Sequence, residues 1–367
     1  MTRLEEVEIK RKRVHDFMEE HGLDAVILEN QNSFAWYTGG GDNHVGIATE
    51  RGAALLVIAR DSEFVVTSNI EAQRIMTEEV PGLGLEVVEV PWHEPGGVPE
   101  AVEGLIGNAK TASDTGFGGS VKMTEELAEL RFSLTDAEVE RYREVGRDTE
   151  ESVRNVCNRV RPGMTENAIA GMVAAELLSR GVTPVVLLVA ADDRMEKFRH
   201  PINTNKRVSC CVMVVSCARR WGLIVSCTRI VYLGRLPGEI RRRHDAVLKV
   251  DAALNLSTVV GQEIGSVLRA GIEAYREVGF PEEWKMHHQG GPTGYASREF
   301  RAMAEEKRQV VRNQAFAWNP SIAGTKSEDT ILVTDQGIEF LSLSSDWPMV
   351  EVEYRGKVVK REDILFI

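Results

Sequence analysis

Apolar and polar positions alternate along the chain in two distinct styles. Over residues 3–21 the apolar positions Leu4, Val7, Ile9, Val14, Phe17 and Met18 recur at helical spacing among charges, and Gly22 stops the run. Residues 24–30, 53–59, 63–67 and 85–92 are short apolar runs bounded by turn residues, and they read as strands. Residues 71–79 and 99–108 carry helical spacing in between. Strand and helix in alternation predict a first α/β domain.

From residue 135 the order changes. Residues 135–160 place Ala137, Val139, Tyr142, Val145, Val153, Val156 and Cys157 on one helical stripe, and Thr135 and Glu138 are spaced as a capping box. A second helix is predicted over 162–181, ended by Gly181. β-type runs follow at 182–190, 207–217 and 223–234, then helices at 237–256 and near 262–278, then a Gly-rich stretch and more β pattern. Helices and strands grouped in this way predict an α+β second domain. The domains expected are 1–133 and 134–367. Val214 to Gly234 reads as a β-hairpin turning at Arg219-Arg220-Trp221-Gly222, and it contains no aspartate, glutamate or histidine.

Composition narrows the function. The chain has 367 residues, 43% hydrophobic and 27% charged, an ordinary globular balance. A net charge of −12 argues against a nucleic-acid partner, which needs a basic surface. No run approaches the ~20 apolar residues of a membrane span, and the charged N-terminus does not resemble a signal peptide. The five cysteines, Cys157, Cys210, Cys211, Cys217 and Cys227, contain no CxxC pair. They read as reduced, mostly buried thiols of a cytoplasmic protein. A nucleophilic Cys217 or Cys227 is the sharper alternative, though neither has an acid–base partner nearby in sequence.

Five phrases occur in a familiar order: RPGMTENAIA (161–170), RHPINTNK (199–206), GLIVSCTRIVYLG (222–234), HHQGGPTGY (287–295) and WNPSIAGTKSEDTILV (318–333). They resemble the pita-bread fold of methionine aminopeptidases, Xaa-Pro peptidases, prolidases and creatinase, peptidase family M24. The first domain looks like the creatinase-type N-terminal domain, with NSFAWYTGGGD (32–42) in place of its usual loop. The metallopeptidases of this family hold two metal ions with Asp, Asp, His, Glu and Glu. Carried onto this sequence, those positions fall on Val215, Ser226, His288, Asn319 and Glu328. One carboxylate of four remains. Two divalent ions need the charge of several carboxylates, valine cannot ligate, and serine and asparagine are weak neutral donors. The resemblance therefore implies a family member without metal or cofactor; a single ion on His288 and Glu328 is the alternative.

Creatinase uses this fold without metal, and by resemblance its histidine base matches His200. His288 and Glu328 occupy former ligand positions and are expected to face the same cavity, with Glu328 orienting an imidazole. If residues 287–288 are extended, only one of the two histidines enters the site, and His288 is the one chosen. Tyr295 either donates to the reacting group or packs in the core. Asn319 offers an amide to the substrate. Lys326 shares a strand face with Glu328 and either pairs with it or binds a substrate carboxylate. Arg298 is a substrate clamp or one half of a fixed ion pair. Trp36, Tyr37 and His44, beside a Gly-rich loop, either reach substrate or pack.

The resemblance implies a homodimer with shared sites. The expected activity is metal-independent hydrolysis of an amide or amidine C–N bond in a small, amino-acid-derived molecule. The alternatives are an Xaa-Pro peptidase with one or an altered metal, a non-catalytic peptide-binding module, and a non-hydrolytic biosynthetic enzyme.

Overall fold

A computed structural model describes residues 1–344 and 346–367. The chain divides into two compact units, residues 1–139 with 221–223, and residues 140–220 with 224–367.

The first unit opens with α1 (Arg3–His21). Thr2 and Glu5 form its capping box, and Gly22 closes it in the left-handed conformation. The other elements are β1 (Ala25–Asn30), α2 (Gln31–Tyr37), β2 (Arg51–Ala59), β3 (Glu63–Ser68), α3 (Ala72–Arg74) running into a π turn, β4 (Glu86–Val90), α4 (Gly97–Ile106), β5 (Thr111–Ser113), β6 (Val121–Lys122) and α5 (Thr124–Glu129). The strands form one mixed sheet in the order β4-β3-β2-β1-β5-β6. Ile27, Leu55, Val57, Val66 and Val90 meet Val102 of α4 in one cluster. The helix and strand periodicities of the sequence correspond to these elements. Residues 31–37 form a short helix beside the Gly-rich loop, and β5, β6 and α5 had no counterpart in the sequence pattern.

The second unit holds most of α6 (Asp136–Cys157) and of β9 (Leu223–Tyr232), together with α7 (Glu166–Ser179), β7 (Thr183–Ala191), α8 (Arg194–Lys197), β8 (Cys211–Arg220), α9 (Gly238–Ser257) and α10 (Ile264–Glu277). Then come β10 (Gly290–Thr293), β11 (Ala315–Trp318), β12 (Ser321–Ile322), β13 (Thr325–Lys326), β14 (Asp329–Thr334), β15 (Gly337–Phe340), β16 (Met349–Tyr354), β17 (Lys357–Glu362) and β18 (Leu365–Phe366). One sheet runs β18-β9-β8-β7 and another β10-β11-β14-β15. The β8–β9 hairpin turns on Trp221 and Gly222, both at positive φ, as a two-residue turn requires.

Helices α9 and α10 pack their apolar faces on the second sheet. Val250, Leu254, Val267 and Tyr275 cluster with Phe316, Trp318 and Ile331. Phe316 and Trp318 lie two apart on β11, so both rings face this core and stack at 5.7 Å. Beneath β14 lies a buried ionic network. Asp329 accepts from Arg361 at 2.7 Å and Arg229 at 3.0 Å, while Arg361 also pairs with Asp251 and Arg229 with Glu362. Truncating one member of such a network costs about 3–5 kcal/mol, because its partner is left charged and dry. This anchor fixes the start of β14, and with it the preceding residue, Glu328.

Candidate active site

A cavity of about 510 Å³ lies within the second unit. Val186 and Leu188 of β7, Val215 and Cys217 of β8, and Phe300 make its apolar wall. Val215 and Cys217 face the same way because they are two apart on one strand. The polar side comes from loops and strand ends: His200, His288, Ser297, Arg298, Arg301, Asn319, Lys326 and Glu328. A neighbouring cavity of about 640 Å³ shares His200, His288 and Arg301 and adds His287.

Glu328 is buried and fully engaged. Its Oε2 accepts from Lys326 Nζ at 2.7 Å and Thr228 Oγ1 at 2.8 Å, and its Oε1 accepts from Arg298 Nη2 at 3.0 Å. Burial alone raises a carboxyl pKa, but here the charges of Lys326 and Arg298 outweigh it and hold the group at about 2. Arg298 also reaches Ser226 Oγ at 3.5 Å, and Ser226 donates to Cys217 Sγ at 3.2 Å. Arg301 lines both cavities and makes no hydrogen bond or ion pair among the described residues. With neutral imidazoles the cavity carries three cations against one carboxylate. An anion is the ligand that such a site favours.

The histidines form one cluster. His200 Nε2 and His287 Nε2 lie 3.1 Å apart, and His287 Nδ1 is 3.1 Å from Ser321 Oγ. The rings of His287 and His288 are 4.7 Å apart, and that of His288 is 5.7 Å from His200. Burial pushes all three imidazoles below their ordinary pKa, helped by the nearby Lys326, Arg298 and Arg301 charges. His287 falls to about 2, His288 to about 4, and His200 moves in the same direction. All three are therefore biased toward the neutral form, and His287, lowered furthest, is the weakest base of the three.

Several expected roles change. His287, set aside on strand alternation, is the hydrogen-bonded partner of His200; the segment before β10 is not a paired strand, so both adjacent histidines turn into the cluster. Glu328 does not orient an imidazole, because Lys326, Arg298 and Thr228 take its oxygens. Tyr295 is buried and is not among the cavity-lining residues; its segment is fixed by Glu299, which accepts from the Tyr295 backbone N–H at 3.1 Å.

Trp36 and Tyr37 lie on α2 inside the first unit, fully covered, and the Tyr37 hydroxyl donates to Glu63 at 2.7 Å. Neither ring is free to touch a ligand. His44 pairs with Asp42 on a loop of the same unit. Cys217 and Cys227 are buried and their thiols are pushed up, which leaves neither as a nucleophile. His200, His288, Asn319, Lys326, Arg298 and Glu328 do converge on the cavity. Asn319 Oδ1 and His288 Nδ1 are buried there without a hydrogen-bond partner, so each can take a ligand donor. Arg301 had no sequence signal of its own; it lies three residues after Arg298, in an irregular segment beyond the Gly-rich stretch 290–294.

The model of metallopeptidase family M24 matches residues 140–335, over half the chain. The chain belongs to family M24. The Creatinase/Prolidase N-terminal domain matches residues 10–145. The same fold appears in an Xaa-Pro dipeptidase from Bacillus anthracis, with TM-score 0.78, 16% identity and coverage of 98% of this chain and 100% of that one. It appears in the prolidase from Pyrococcus horikoshii, with TM-score 0.76, 17% identity and coverage of 92% and 98%. The N-terminal domain of the FACT complex subunit SPT16 from Cicer arietinum has TM-score 0.72 and 12% identity, covering 93% and 96%. No curated protein matches by sequence. No helix among the described residues is long and apolar enough to cross a membrane.

The two-metal centre of M24 peptidases does not fit this donor set. Val215 is part of the apolar wall, Ser226 is bonded to Cys217, and the remaining carboxylate already holds two side-chain cations. A metal ion at Glu328 would have to displace Lys326 or Arg298 and leave it buried without its counter-ion.

Proposed function

We propose that this M24 member is a metal-independent hydrolase that cleaves an amide or amidine C–N bond of a small anionic molecule. The observation that carries the reading is the engagement of Glu328 by Lys326 and Arg298, two fixed cations at the position of a metal ligand. In this reading His200 takes a proton from water while His287, itself bonded to Ser321, holds the His200 ring through its Nε2. The proton then passes from His200 to the departing nitrogen. Asn319 and the Arg298 guanidinium stand where developing negative charge can be met by fixed donors. Arg301 binds the anionic group of the substrate, and the Val186–Val215–Phe300 wall takes its apolar part. The homodimer implied by the family resemblance belongs to the same reading and is tested by light scattering of the eluting protein.

A second reading, a peptidase with one altered metal, is favoured by one observation: nitrogen atoms of His200, His287 and His288 all lie within 4.8 Å of one another. One assay separates the two. Chelator-treated protein is offered an N-acetyl amino acid, creatine and the dipeptide Gly-Pro, each with EDTA and with added Mn²⁺. Cleavage of an acetyl amino acid or of creatine that EDTA leaves unchanged supports the first reading. Cleavage of Gly-Pro that needs Mn²⁺ overturns it in favour of the second.

A further inference from the structure

A second cluster lies outside the cavity, at the place where β7 hands over to β8. Asp192 follows the last residue of β7 and takes a left-handed conformation, φ 54°. Cys211 begins β8, and exposed Cys210 precedes it. The Cys210 and Cys211 sulfurs are 3.8 Å apart, and Cys210 Sγ is 3.3 Å from Asp192 Oδ1. We propose that Asp192, Cys210 and Cys211 form a binding site for a thiophilic divalent cation, Zn²⁺ in the first instance, at the neck of the loop that carries His200.

The distances carry the case. Two thiolates each about 2.3 Å from a tetrahedral zinc stand about 3.8 Å apart, and a carboxylate oxygen about 2.1 Å from it stands about 3.6 Å from either sulfur. The three side chains already sit close to that arrangement, with all three ligand atoms within 4.8 Å of one another. Asp192 is held in place from behind. Its Oδ1 accepts from the backbone N–H of Cys210 at 2.8 Å and Cys211 at 3.1 Å, and its Oδ2 accepts from Ser209 N–H at 3.0 Å. Such outer hydrogen bonds fix a ligating carboxylate. A cavity of about 250 Å³, lined in part by Tyr232, Glu196 and Arg235, adjoins the cluster and leaves room for water at a fourth position. The exposure of Cys210 gives the ion a way in.

Binding balances simply. Both thiols lose their protons to solvent, Asp192 is already ionised, and the cation takes the place of the thiol protons between the two sulfurs and the Asp192 carboxylate, so affinity rises with pH. The site also has a mechanical place in the fold. Asp192 N–H donates to Cys211 carbonyl oxygen at 3.1 Å, and Ala191 pairs with Val212. Residues 193–210 thus leave and re-enter the sheet at this point, and a cation there joins both ends of the excursion that bears His200.

The test uses the full chain, reduced and freed of metal, titrated with Co²⁺ as a spectroscopic stand-in for Zn²⁺. The expected result is one Co²⁺ per chain with a thiolate-to-cobalt charge-transfer band and the intense visible bands of tetrahedral coordination, bleached by one equivalent of Zn²⁺. Cys210→Ser and Cys211→Ala should each abolish the charge-transfer band, and Asp192→Asn should weaken binding by about tenfold or more. His287→Gln should leave the spectrum intact. Cys210 is exposed, so its serine variant also keeps the result readable if burial makes the Cys211 variant unstable. Absence of the charge-transfer band in the reduced protein, or a spectrum that survives both cysteine variants, overturns the proposal. A spectrum lost in His287→Gln overturns it too and assigns the ion to the histidine cluster.

Discussion

The ammonium of Lys326 lies 2.7 Å from the carboxylate of Glu328, and both side chains are almost wholly buried. In an M24 metal centre the glutamate at this position faces dications. Here it faces an ammonium and a guanidinium that are part of the chain and cannot be chelated away.

Removing one of those cations is therefore costly. Lys326→Met keeps the bulk of the side chain and removes its charge, leaving Glu328 with Arg298 alone. The expected loss is about 3 kcal/mol of unfolding free energy, read from the urea midpoint. A variant as stable as the parent would show that Lys326 does not compensate Glu328.

Acid should unfold the protein in two overlapping stages. His288 titrates at about 4 when folded and near its ordinary value when unfolded. The unfolded chain takes up that proton first, so stability is full above about pH 6.5 and falls as pH drops toward 4. Glu328, held at about 2, behaves alike in a lower window: its contribution is present above about pH 4.5 and lost as pH falls toward 2. Urea midpoints measured from pH 7 to pH 3 should decline throughout. His288→Gln should make the upper part of that curve shallower, leaving the slope that His287 carries, and should leave the Glu328 part in place.

His200 is exposed, and among the described residues its ring hydrogen-bonds only to His287. His200→Ala should abolish turnover of whichever assay compound the parent cleaves and shift unfolding by no more than about 0.5 kcal/mol. Turnover close to that of the parent would remove His200 from the mechanism.

Arg301 has no hydrogen-bond or ion-pair partner among the described residues, so its replacement leaves no broken pair there. Arg301→Ala should leave the urea midpoint unchanged and raise KM for an anionic substrate about 10- to 100-fold, the worth of one charge-assisted hydrogen bond. The same variant should treat an uncharged analogue as the parent does. An unchanged KM for the anion would place its binding elsewhere.

Much of the fold was written in local periodicity. Strand 25–30, the helices from 136, 166, 238 and 264, and the β8–β9 hairpin all follow from spacing and punctuation. The Thr135–Glu138 capping box also formed, with Thr135 N–H donating to Glu138 at 2.7 Å. The site was legible in part. Lys326 and Glu328 are two apart, so their pairing could be read directly. Arg298 reaches Glu328 across 30 residues, a relation that spacing does not carry. His287 was discarded because alternation was assumed where the backbone is irregular. For Trp36 and Tyr37 the Gly-rich segment that follows left ligand contact and packing both open, and α2 turns both rings into the core.

The β8 wall of the cavity holds a consequence for how such a protein can change. Val215 and Cys217 line the cavity with an isopropyl group and a neutral thiol, while every imidazole and every charged group comes from other segments. A larger or smaller side chain at Val215 would resize the space without touching an imidazole or a charge, whereas Cys217 is tied through Ser226 to Arg298. Selectivity for the size of the guest and the chemistry performed on it are thus carried by separate stretches of chain, and one can drift while the other stays constant.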